Sequence, residues 1–310
     1  MLQTIIIFAI IIVLYKIYQK LTCVLYNGDV KMTDKVVIVT GANTGIGYTT
    51  AEDLAQRGAR VILACRDPQK GVEASNKIKK STGNENIVVK QLDLTNFQSV
   101  RDFADDIMKT ETKLHVLINN AGTGKLDNSL TGDNLPIEAQ VNHFSPFLLT
   151  MLLLPLLKSS APSRIVNVSS IMHYLGTIED LDKQSKNFIQ HSRVYSNTKL
   201  ANALFTRKLS AILKGTRVTV NCLHPGAVNT DIFRNKPAFI RFLLSLLFKN
   251  AVEGAQTSIY LAVEPDLSDV TGKYFTNCRE TKPAQKAYDD EAAQKLWEMS
   301  EDVIIGKKKL

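Results

Sequence analysis

The chain has a single tryptophan, only 7% aromatic residues and four cysteines in 310 residues. Cys23, Cys65, Cys222 and Cys278 lie far apart, without the paired spacing of a zinc site or a small disulfide framework. They read as reduced thiols, and no metal is expected. Lys and Arg number 38 against 30 Asp and Glu, a net +8, but the basic residues lack interleaved aromatics, which excludes a nucleic-acid partner. An anionic membrane surface or a phosphate-bearing ligand explains the excess better. With 45% hydrophobic residues, 9 Pro and 16 Gly, and neither repeat nor low-complexity block, the chain is not collagen-like or disordered.

One run stands out. Ile5 to Tyr15 reads IIIFAIIIVLY, followed by Lys16, Lys20, Lys31 and Lys35. The uncharged stretch reaches about 22 Å as a helix, short of a hydrocarbon core of about 30 Å unless Lys16 and Lys20 snorkel. Positive charge before the run and a small-residue cleavage site after it are both missing, which favours a retained anchor over a cleaved signal. The lysines that follow place the rest of the chain in the cytosol. The C-terminal GKKKL resembles a dilysine retrieval signal, or is a solvated basic tail. The expected division is therefore an anchor at 1–25 and a catalytic domain at 26–310, on the endoplasmic reticulum membrane.

From Lys35 onward, β-branched runs alternate with segments of helical period. The runs are KVVIVT (35–40), RVILAC (60–65), IVVKQL (87–92), HVLIN (115–119), RIVNV (164–168) and RVTVNC (217–222). This alternation predicts a single α/β domain, a doubly wound parallel sheet whose ligands bind beyond the carboxyl ends of the strands.

After the first run comes Thr40-Gly41-Ala42-Asn43-Thr44-Gly45-Ile46-Gly47, then a helical segment. Glycines at this turn let a pyrophosphate approach the backbone and meet the amides of a helix N-terminus. The second run ends in Cys65-Arg66, where an NAD site normally carries an acid for the ribose hydroxyl. A guanidinium matches a 2′-phosphate, which favours NADP(H), although the neighbouring Asp67 keeps NAD in view.

A helix expected over 193–213 carries Tyr195-Ser196-Asn197-Thr198-Lys199. Spacing of four puts phenol and ammonium on one face, and an adjacent cation lowers a phenol's pKa toward useful acid/base range. Asn119-Asn120-Ala121-Gly122 follows the fourth run and Asn167-Val168-Ser169-Ser170 the fifth. With TGANTGIG, NNAG, NVSS and YSNTK in this order, residues 35–280 resemble the short-chain dehydrogenase/reductase family. The resemblance implies hydride transfer between a nicotinamide and an alcohol or carbonyl, with the family's pro-S stereochemistry. It implies that Tyr195 exchanges a proton with the substrate oxygen and that Lys199 lowers its pKa and holds the nicotinamide ribose. Ser170 would hydrogen-bond the substrate oxygen, and Asn142, in VNHFSPFLLT, would complete a proton relay behind Lys199. Asp93 and Leu94 resemble the pair bordering the adenine. Asn120, Ala121 and Gly122 join the cofactor site, and His224-Pro225-Gly226 with Val228 and Thr230 resembles the loop beside the nicotinamide.

Two departures matter. Ser145 stands where many relatives have glycine, and Ser170 and Tyr195 lie further apart than in many members. The extra stretch holds His173, Tyr174, Asp180, Asp182, Lys183 and His191, too polar for core, so its histidines are expected in solvent. This longer loop, ACRD after the second run and the N-terminal anchor resemble the microsomal retinol dehydrogenases of the retinal-reductase type. The expected substrate is then a lipophilic alcohol or its aldehyde or ketone, with a steroid or isoprenoid as the alternative. A non-catalytic NADP-binding scaffold is the alternative of another class. PAFIRFLLSLLF at 237–248 is too short to span a bilayer. It is either an apolar lid lying at the membrane interface or a helix packed on the sheet or another subunit, which leaves an oligomer open.

Overall fold

The computed structural model describes Ile17 and residues 23–124, 129–179, 181–184, 188–228 and 248–306, with the side chains of 188–192 excepted. Strands β1 (Val36–Thr40), β2 (Arg60–Cys65), β3 (Ile87–Gln91), β4 (Val116–Asn119), β5 (Ser163–Val168) and β6 (Val218–His224) match the six β-branched runs to within two residues. Two further strands, β7 (Tyr274–Thr276) and β8 (Arg279–Thr281), were not evident in the sequence. At three residues each, they are too short to show a period.

The eight strands run in the order β3-β2-β1-β4-β5-β6-β7-β8. All pairs are parallel except β7 with β8. Strand order reverses between β1 and β4, so their carboxyl ends diverge and open a crevice, where doubly wound folds bind ligands. Helices α1 (Gly45–Gln56), α2 (Pro68–Thr82) and α6 (Ala251–Val263) join one core layer, and α3 (Phe97–Thr110), α4 (Ser145–Ser159) and α5 (Phe188–Ile212) the other. The alternation of side chains along β1 decides the division. Val37 and Val39 face the first layer and Ile38 the second, all fully buried. Each such side chain contributes about 1.5–3 kcal/mol by leaving water.

The C-terminal helix α7 (Asp290–Ile305) closes the second layer. Its Trp297 meets Phe147 edge-on at 5.0 Å and Phe205 at 6.1 Å. At the other side of the fold, residues 23–34 approach β1 over α1 and α6. Arg57 donates to the carbonyls of Gly28 and Val30, at 2.5 and 3.2 Å, and lies over the Tyr26 ring.

Helix α5 begins five residues before the expected 193 and ends at Ile212. Ahead of α4, Gln140–Phe144 form one wide π-turn, a geometry concentrated at functional sites. Among the described residues, one helix, Ile137–Ser159, is long and apolar enough to cross a membrane, and 78% of its apolar window is buried inside the fold. Most of the N-terminal anchor, residues 237–247 of the apolar segment, Thr230, Asp180, the His191 side chain and the last four residues lie outside the described residues.

Candidate active site

The glycine loop after β1 is held from three sides. Gly45 has φ +57°, a left-handed conformation that a Cβ disfavours. A Cβ on Gly47 would lie 2.4 Å from both Asn120 Nδ2 and the Gly41 carbonyl oxygen, so only glycine allows this approach. The amides of Asn120 and Ala121 each donate to Thr40 Oγ1 at 3.0 Å, and Asn120 Nδ2 donates to the Thr40 carbonyl at 2.8 Å. From β2, Cys65 Sγ accepts from the amides of Ala42 and Asn43, while burial pushes its thiol up to about 11. No side chain caps the first turn of α1, whose amides face the cleft beside the loop.

That cleft, of about 1140 Å³, is lined by Gly41, Asn43, Thr44, Gly45, Ile46 and Gly47 at its centre. Arg66 and Lys70 lie on one flank with Asp93 and Leu94, while Asn120, Ala121, Gly122, Tyr195, Lys199 and Pro225 lie on the other. Its size exceeds the usual range for small-molecule pockets and suits a dinucleotide. Asp67 caps α2 by accepting from the Lys70 amide at 3.2 Å, and its carboxylate pairs with the Lys70 ammonium at 3.5 Å. These bonds pull its carboxyl below the ordinary range and tie it to its own helix. Arg66 is left as the exposed charge at the end of β2. Asp93 Oδ1 is occupied by the amide and hydroxyl of Thr95, at 2.9 and 2.8 Å.

On the reacting side, the Ser170 hydroxyl hydrogen-bonds the Tyr195 phenol, and this bond lowers the phenol's pKa; burial outweighs it and leaves the phenol above its ordinary value. Lys199 Nζ donates to the Val168 carbonyl at 3.1 Å and lies 5.4 Å from the Tyr195 ring centre. Burial pulls this ammonium down to about 8 from 10.5. Tyr195 is thus a neutral proton donor at pH 7 beside a cation whose own pKa lies close by. Burial leaves the phenol raised despite the lysine beside it, whose Nζ is held by the Val168 carbonyl. Ser169, the earlier serine of the pair, bonds the Lys199 carbonyl at 2.7 Å and so holds α5 against β5.

Asn142 sits in the π-turn, buried. Its Nδ2 donates to the Thr123 carbonyl at 2.9 Å and to Thr198 Oγ1 at 3.1 Å, and its Oδ1 accepts from the Thr123 amide at 2.8 Å. A Cβ built on Gly122 falls 3.3 Å from Asn142 Oδ1 and 3.6 Å from Lys199 Nζ, so both polar groups face one point beside the cleft. A dinucleotide's ribose fits this glycine-floored cradle. Ser145 also has a role. Its hydroxyl donates to the Leu94 carbonyl at 2.7 Å and ties α4 to the loop after β3.

Gly226 and Val228 are not brought to the cleft wall. Gly226 lies against the Lys249 side chain and Val228 against Gly254, next to Ile46. Ser170 and Asn142 reach the cleft through Tyr195 and Gly122 rather than by lining it. One expectation fails outright: His173 is fully buried, not solvated, and Asp182 is buried as well. The His173 ring packs against Tyr274 and accepts from the Ala284 amide, both more than 100 positions away in the chain, so local polarity misread it.

A family model for short chain dehydrogenases matches residues 35–240. The chain belongs to the short-chain dehydrogenase family. This short-chain dehydrogenase is an oxidoreductase of the alcohol and carbonyl class. It is 46% identical over 291 residues to retinol dehydrogenase 14 of Mus musculus, covering 89% of this chain and 87% of that one. Retinol dehydrogenase 12 of Homo sapiens is 44% identical over 278 residues, covering 89% and 88%. Among solved structures, the NADP active-site complex of RhlG from Pseudomonas aeruginosa superposes with a TM-score of 0.64 at 25% identity, covering 79% of this chain and 95% of that one.

Proposed function

We propose that this short-chain dehydrogenase uses NADP(H) to interconvert a lipophilic, retinoid-like alcohol and its aldehyde, working chiefly as a reductase. The observation that carries the reading is the placement of Tyr195, bonded to Ser170 and beside buried Lys199, at one end of a cleft whose other flank carries Arg66. Bound dinucleotide supplies the hydride. Ser170 and Tyr195 hold the carbonyl oxygen between two hydroxyls, which favours the charge that develops on it during reduction. Tyr195, neutral because burial disfavours phenolate, gives its proton to that oxygen. The nearby Lys199 ammonium then stabilises the phenolate left behind. Lys199 returns a proton to Tyr195 and regains one from solvent through water that Asn142 would hold at their shared point beside Gly122. Arg66, supported by Lys70, selects a 2′-phosphate.

The retinol dehydrogenases that share 44 to 46% identity over most of this chain support a retinoid as substrate. The apolar N-terminus followed by lysines supports anchoring at the endoplasmic reticulum with the catalytic domain in the cytosol, and 237–248 adds a second apolar segment at the interface. The test is oxidation of NADPH against NADH by detergent-solubilised protein with all-trans-retinal, with Tyr195→Phe as the blank. Tyr195-dependent turnover preferring NADPH is expected. Tight NADPH binding without retinal turnover would refute the substrate and turn the search to steroids and isoprenoids.

A further inference from the structure

The polar residue that the reaction leaves unexplained is His173, three positions after Ser170 in the 3-10 turn Ile171–Leu175. The ring is fully buried. Its Nε2 accepts from the Ala284 amide at 2.9 Å, a donor that cannot reverse, so the ring proton sits on Nδ1 and is donated to the Ser170 carbonyl at 2.7 Å. The same carbonyl accepts from the His173 amide at 3.1 Å and the Tyr274 hydroxyl at 3.3 Å. Three donors thus converge on the backbone of one residue. The other end of the turn is fixed to the helix that carries Tyr195, through the Thr177 amide and Asn197 Oδ1 at 2.9 Å. The ring lies between the Tyr174 and Tyr274 rings, with centroids 4.4 and 4.7 Å away.

We infer that His173 is a positioning residue, whose Nδ1–H holds the Ser170 peptide so that the Ser170 hydroxyl stays aimed at Tyr195 and the substrate oxygen. The inference rests on the proposed role of Ser170. Through Ala284 and Tyr274, it makes the segment after β6 a structural partner of the active serine. Ser170 is extended at φ −156° and caps the turn by accepting from the Met172 amide at 3.3 Å. Loss of the carbonyl anchor frees this peptide plane to turn, and the hydroxyl turns with it.

Two substitutions separate positioning from packing. An asparagine amide superposes on Nδ1 and a glutamine amide on Nε2, so His173→Asn keeps the donor to Ser170 and His173→Gln keeps the acceptor for Ala284. Each loses one buried bond, and similar losses of thermal stability are expected. The expected kinetics differ: kcat falls tenfold or more in His173→Gln with KM for NADPH within twofold, while His173→Asn stays within threefold of wild type. Ser170→Ala, run in parallel, is expected to lose at least a hundredfold. Equal kcat losses in the two His173 variants, beside an inactive Ser170→Ala, would overturn the positioning role alone. Wild-type turnover by Ser170→Ala would overturn the reading of Ser170 and the inference with it.

Discussion

Replacing Lys199 with methionine should stabilise the protein while abolishing its activity. The ammonium is buried, and that burial lowers its pKa from 10.5 to about 8. At about 1.36 kcal/mol per pKa unit, keeping the charge inside the fold at neutral pH costs about 3 kcal/mol. A methionine of similar length avoids this cost and gives up one hydrogen bond to the Val168 carbonyl, worth about 1 kcal/mol. That carbonyl keeps Asn202 Nδ2 at 3.3 Å. The net gain of about 2 kcal/mol corresponds to a rise in Tm of about 4 °C for a chain of this size. The pH dependence carries the proof. Between pH 8 and 10.5 the unfolded lysine binds more protons than the folded one, so wild-type stability gains with pH over that window. The gap between Lys199→Met and wild type is therefore full below pH 8 and closes by pH 10.5. Thermal unfolding of both proteins without cofactor, at pH 7 and at pH 10, measures it. A variant less stable than wild type at pH 7, or a gap that ignores pH, would refute the placement of a charged amine in this interior.

Arg66→Ala should raise the Kd for NADPH about 10- to 100-fold, the worth of a charge-assisted phosphate contact of about 1.5–3 kcal/mol, and leave NADH unchanged; titration by cofactor fluorescence decides, and equal losses for both cofactors would place the phosphate elsewhere. Gly122→Ala puts a methyl at the point shared by Asn142 Oδ1 and Lys199 Nζ, 3.3 and 3.6 Å away. Its kcat should fall about tenfold, the worth of one bridging bond of about 1.4 kcal/mol, with Tm nearly unchanged; steady-state kinetics at saturating NADPH tests it, and undiminished turnover would remove Asn142 from the relay.

What the sequence disclosed and what it hid divide by chain distance. The six long strands of the parallel sheet announce themselves through β-branched runs, and the glycine loop, Tyr195 and Lys199 lie within single elements whose period brings them together. Ser170 was legible because it lies two residues after the end of β5. His173 was not, because its partners Tyr274 and Ala284 lie more than 100 residues on, in a region whose strands are three residues long. The signal available was its spacing of three from Ser170, one turn of a 3-10 helix. The partner of Ser145 was hidden for the same reason, since its hydroxyl serves Leu94, 51 positions earlier. The direction of the Lys199 ammonium toward Val168 depends on β5 and α5 packing side by side, which no local pattern encodes.

The helix from Ile137 to Ser159 has a consequence for how the protein is made. While the chain emerges from the ribosome, this segment is long and apolar enough to serve as a membrane span. Glu138, Gln140, Asn142 and His143 sit in its first turns, and Pro146 and Pro155 further along. Polar and charged groups are costly in a bilayer. The residues that shape the π-turn around Asn142 therefore also lower the tendency of this segment to enter a bilayer. One short stretch of polypeptide thus both shapes the π-turn and tempers the apolar character of the helix that follows.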